Sequence, residues 1–168
     1  MKIVTALLST SMLFSVCGVA NAGLKAKCSP FFSSARVQLF EPVPGRDPIG
    51  VGVTDYLIGE ESSQAEVSVF LLGEMLEQAD GTVLMPIELL HDFLDGDSLS
   101  WFGNAVLTQT SIPGVFTLDE LVSVINSTGR FEGIMGRGEG YGEVSFVDFE
   151  ATINAEGFLC AMKEKSKE

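Results

Sequence analysis

Acid–base chemistry in this chain rests on very few side chains, because His91 is the only histidine among 168 residues. One imidazole cannot supply a Ser-His-Asp set with a choice of base, nor a multi-histidine metal centre. No metal and no cofactor is expected. His91 falls in the alternating run Val83, Met85, Ile87, Leu89, His91, Phe93. On such an apolar face an imidazole can act as acid, base or hydrogen-bond partner of a ligand. Glu120 shares a parity with Phe116, Leu118 and Val122. A carboxyl turned into a dry interior has a raised pKa and can deliver a proton. The plainer alternatives are a histidine satisfied near a rim and a glutamate on the solvent side of its strand. Phe93, Trp101, Phe116 and Phe149 are candidates to line a pocket for a small apolar ligand, or else ordinary core. No catalytic motif is complete, so these residues support an isomerase or cyclase and a non-catalytic binder alike.

The elements that must position these groups read as strands. Alternation predicts strands at 49–58, 65–75, 83–94, 99–109, 115–126 and 144–154, separated by turn signals such as Asp80-Gly81 and Asp95-Gly96-Asp97. Asp95-Gly96-Asp97 lacks the later oxygen ligands of a calcium loop and reads as a hairpin turn. Pro86 cannot donate to a ladder and predicts a bulge or an edge. Residues 23–34 read as an extended lead-in, and Ala155-Glu156-Gly157 as a turn into a short last strand. The glycines at 129, 133, 136, 138, 140 and 142 would each cost a helix about 1 kcal/mol relative to alanine. They suit a chain that turns with positive φ and then bends along a curved sheet. The fold class is therefore all-β, a single closed antiparallel up-and-down β-barrel of about eight strands over residues 23–168.

Residues 1–22 read as a secretory signal peptide: Lys2, an apolar run, then Ala20-Asn21-Ala22 with small residues at the cleavage positions. The expected location is secreted or periplasmic. Cys17 would leave with that segment, and Cys28 and Cys160 would remain. In an exported chain two cysteines favour a disulfide, and in a closed barrel the first and last strands are neighbours, so a bridge would staple the seam. Two unrelated buried thiols are the other reading. The formal charge of −13 argues against nucleic acid and anionic membrane surfaces as partners, and the interrupted apolar run argues against a membrane anchor. A homo-oligomer packed through the outer wall, with Phe70, Leu84, Leu90 and Phe102, is a third functional reading.

Thr128-Gly129-Arg130-Phe131-Glu132-Gly133, with Gly136 three residues on, resembles the Thr-Gly-x-Phe-x-Gly/Ala-x-x-Gly signature of the allene oxide cyclase and dirigent-type barrels. Family members commonly show Gly-Gly-Thr-Gly where this chain has Asn126-Ser127-Thr128-Gly129. The resemblance implies an eight-stranded antiparallel barrel with a central apolar cavity. It also implies a range of activities from cyclisation to stereochemical guidance of radical coupling. Only Thr128, Gly129, Phe131, Gly133 and Gly136 carry over, with a structural role in the turn.

Overall fold

The computed structural model describes residues 25–40 and 47–163. The expected signal at 1–22, most of the turn cluster at 42–48 and the tail from 164 lie outside them. Nine strands form one antiparallel sheet: β1 (Lys25–Leu39), β2 (Gly50–Ile58), β3 (Glu61–Leu71), β4 (Leu76–Glu77), β5 (Val83–Phe93), β6 (Ser98–Gln109), β7 (Val115–Thr128), β8 (Ile134–Ser145) and β9 (Glu150–Lys163). Eight of them are long, and each long strand pairs with the next one in the chain. β3 pairs with β5 and β1 with β9, so the eight close into the expected up-and-down barrel. The two-residue β4 only extends the pairing at the start of β5.

Period-two alternation decides what faces in. On β5, Met85, Ile87, Leu89, His91 and Phe93 are all buried, and on β7 Leu118, Glu120 and Val122 are. Pro86 sits where its missing donor does least harm. Leu72 N–H donates to the Pro86 carbonyl at 3.0 Å, so the ring nitrogen faces the side on which β3 has just ended.

Several boundaries differ from the sequence expectation, among them the strand expected at 65–75, which is β3 at Glu61–Leu71. The segment read as a lead-in belongs to the 15-residue strand β1. Gly129 and Gly133 stay in the turn after β7, but the glycines from 136 to 142 lie in strand β8, a further turn falls at 146–149 inside the strand expected at 144–154, and Ala155-Glu156-Gly157 runs straight through β9. The reason is space. A methyl group at Gly138 would lie 2.9 Å from the Phe31 ring, and one at Gly157 would lie 2.8 Å from it. One at Gly140 would come within 2.5 Å of Glu120 Cγ. These glycines extend the sheet because the lumen side chains opposite need the room a Cβ would take.

One end of the barrel is plugged. The 3₁₀ turn Gly129–Phe131 sends Phe131 inward, 4.8 Å centroid to centroid from Phe93. The Arg130 guanidinium lies over both rings, at 4.7 and 5.2 Å, and pairs with Asp95 and Asp97 at 3.2 Å each. Gly129 takes φ 60°, and Asp97 fills the space beside it while accepting the Arg130 N–H. Thr128 bonds Ser98 across the β6–β7 ladder, Gly133 turns with φ 73°, and Gly136 leaves space for Leu159 and Val124. Every residue of the turn signature thus holds the plug or the sheet beside it.

The seam closes as expected, with Cys28 opposite Cys160 in the β1–β9 ladder and joined to it by a disulfide. The bridge spans 132 residues of sequence. By chain-entropy reasoning a loop of that length stabilises the fold by about 5 kcal/mol at most. Replacing both cysteines by serine should lower the denaturant midpoint by up to that free energy while the far-ultraviolet β signal persists. An unchanged midpoint would show that the ladder alone carries the closure.

Candidate binding site in the barrel lumen

Above the plug the lumen holds two connected chambers. The larger, about 60 Å³, is almost wholly apolar and runs from the exposed rim side chains Phe40, Met75 and Phe146 down past Met85, Ala105 and Leu107. The smaller, about 30 Å³, lies deeper, among Phe31, Thr54, Tyr56, His91 and Trp101. Val37, Val69, Leu89, Ile153 and Glu120 line both, so Glu120 stands at the neck. Among the described residues the lumen holds no open cavity of the several hundred Å³ a drug-sized ligand needs; aromatic side chains fill much of that space. They form a continuous series: Trp101 to Phe31 at 5.3 Å, Phe31 to Tyr56 at 6.1 Å, Tyr56 to Phe93 at 5.3 Å, and then Phe131.

Four strands supply the polar groups. β2 contributes Thr54 and Tyr56, β5 His91, β6 Trp101 and β7 Glu120, each on the inward parity of its strand. His91 and Glu120, separate candidates in the sequence, meet at the same deep chamber. Trp101 lines it too, whereas Phe93 belongs to the plug. Phe116 packs edge-on against Phe146 at 5.5 Å instead of lining the chambers. Phe149, a candidate for the lining, is corrected outright: it sits in the 146–149 turn at φ 56°, 38 % exposed, and Phe146 lines the larger chamber at the rim instead. The physical reason is the shift of the β8–β9 turn. Thr54 and Tyr56 were missed because β2 inverts the usual cue. Its apolar residues Val51, Val53 and Leu57 face solvent, while glycine, threonine and tyrosine face inward.

The electrostatics follow from burial. Desolvation pushes His91 down to about 3 and Glu120 up to about 7. Burial also raises the Tyr56 phenol far above its ordinary value; the Trp101 N–H offsets part of this and the Glu120 charge adds to it. Tyr56 therefore keeps its proton and His91 is neutral. The Tyr56 hydroxyl and His91 Nδ1 are hydrogen-bonded to each other, with the donor set by the imidazole tautomer. The Trp101 N–H acts on the phenol oxygen without forming a hydrogen bond of normal geometry. Among the described residues, three buried side-chain polar atoms have no hydrogen-bond partner: Thr54 Oγ1, Trp101 Nε1 and Glu120 Oε2. All three belong to residues lining the small chamber, which has room for about two water-sized groups.

The raised Glu120 and depressed His91 act in opposite directions on stability. The folded chain holds the Glu120 proton longer than the unfolded chain, whose value is 4.5. This penalises folding increasingly from pH 4.5 to 7, by about 3 kcal/mol beyond. The neutral His91 contributes stability that is complete above 6.5 and is lost as pH falls toward 3. Between pH 4.5 and 6.5 the two slopes oppose each other. Glu120→Gln should make stability rise with pH across that window and exceed the wild type above pH 7 by about 3 kcal/mol, measured by denaturant titrations at stepped pH. Parallel curves for the two proteins would mean that Glu120 titrates as an exposed carboxylate.

No protein-family model matches the chain, and no curated protein matches it. Among solved structures the chain is similar to a pterocarpan synthase dirigent protein, at 15 % identity and a TM-score of 0.38, over 84 % of this chain and 93 % of that one. The barrel assignment stands on the strand ladders themselves.

Proposed function

We propose that this chain is an exported, dirigent-like binding barrel that admits a small, slender, mainly apolar molecule through the open rim and holds its polar end at the deep chamber. One observation carries the reading: an apolar shaft ends on three buried polar atoms that have no partner in the protein. Each such atom costs about 1–3 kcal/mol if left unpaired, so a guest that pairs them gains affinity and orientation together. The narrow shaft favours an unbranched guest. Met75 and Met85 are the lining side chains best able to yield to it, being unbranched and flexible. Export is supported by the apolar N-terminal run ending in Ala20-Asn21-Ala22 and by the disulfide, which suits an oxidising compartment.

A second reading, an isomerase or guide of a reactive apolar substrate, draws on Glu120. A carboxyl that titrates near neutrality at the neck of a dry shaft can lend a proton to a guest passing it.

Trp101 is the sole tryptophan and lines the deep chamber, so its emission reports occupancy directly. Titration with 1-hexanol or 2-hexanone should shift that emission saturably and raise the melting temperature. Ala105→Leu, which fills the larger chamber, should abolish the shift while the protein keeps a cooperative transition. A wild type whose emission and melting ignore both probes would leave a closed scaffold.

A further inference from the structure

We propose that the deep chamber selects a neutral hydroxyl as the guest's head group, with Thr54, Trp101 and Glu120 as the residues that read it. The inference rests on the binding reading above and deepens it to a ligand class, an unbranched monohydric alcohol. The donor and acceptor inventory decides the class. Trp101 Nε1–H can only donate, so the guest must present an oxygen acceptor there. Glu120 Oε2 accepts when the carboxyl is ionised, so the guest must also carry a proton to give. A hydroxyl does both with one atom, and the Thr54 hydroxyl can rotate to donate or accept as the geometry needs. The Tyr56 hydroxyl and His91 Nδ1 are already committed to each other.

The competing head groups fail for stated reasons. A carbonyl oxygen accepts from Trp101 and Thr54 but gives nothing to an ionised Glu120, which then stays buried and unpaired. A carboxylate would place a second negative charge beside Glu120 in a dry chamber. Protonation of Glu120 turns it into a donor and removes the handicap of the carbonyl. Among the described residues, Tyr56 and His91 are the other titratable side chains lining the chambers, and both are neutral across this range, so Glu120 sets the pH response.

The test compares 1-hexanol, 2-hexanone and hexanoate by Trp101 emission at pH 8.5 and pH 5.5. At pH 8.5 the alcohol should bind about tenfold tighter than the ketone, and hexanoate should not bind detectably. At pH 5.5 the gap between alcohol and ketone should fall to about threefold or less. Glu120→Gln should make that ratio independent of pH, and Thr54→Val should weaken the alcohol while preserving the melting transition. Equal affinities for alcohol and ketone at both pH values, or an undiminished preference in both variants, would overturn head-group selection and leave lumen binding intact. Failure of every probe to bind at either pH would overturn the binding reading and this inference with it.

Discussion

Closure of the antiparallel sheet is the constraint on which everything else depends. An open sheet of eight long strands would expose two edges and one broad apolar face. Pairing β1 with β9 and β3 with β5 removes both edges and turns the inward parity of every strand into a shared interior. The disulfide lies in the β1–β9 ladder, where the first and last strands pair. Once the cylinder is closed, a residue's fate follows from its parity, and that is how a histidine from β5 and a glutamate from β7 come to share one chamber.

Closure also makes volume scarce, and the chain meets that scarcity with glycine. Phe31 lies against Gly138 and Gly157, and Glu120 against Gly140. Side chains at those positions would evict the aromatic series or the carboxyl, so the glycine-rich strand β8 and the bulky residues facing it are one solution to a packing problem. The same crowding desolvates Glu120 and His91, and their opposite pKa displacements share that cause. The ends of the lumen differ in kind. Arg130, Asp95, Asp97 and the Phe93–Phe131 pair shut one, while exposed Phe40, Met75 and Phe146 edge the other. The polar groups lie at the far end of an apolar path from that rim.

Much of this was legible in residue order. Strand parity on β5 and β7 made His91 and Glu120 candidates for the interior, where both are buried, and the two cysteines at opposite ends of the barrel domain pointed to the seam. What misled was local. The glycines of β8 carry the composition of a turn, yet they lie in a strand because of Phe31 and Glu120, residues far away in sequence. That shift moved the β8–β9 turn onto Phe149 and took it out of the lining. On β2 the apolar residues point outward, so Thr54 and Tyr56 gave no sign of their place in the interior.

By itself the sequence determined what depends on near neighbours: period-two alternation, the turn chemistry at Asp80-Gly81 and Asp95-Gly96, and hence an all-β meander of about eight strands. The tertiary structure alone decided which polar atoms meet, how much room remains between them and which of them lack partners. The pairing of Tyr56 with His91 joins positions 35 residues apart in sequence, and the isolation of Thr54, Trp101 and Glu120 involves three strands whose inward faces share one lumen only after closure. Volume and hydrogen-bond satisfaction are properties of the closed cylinder, and no single strand carries them.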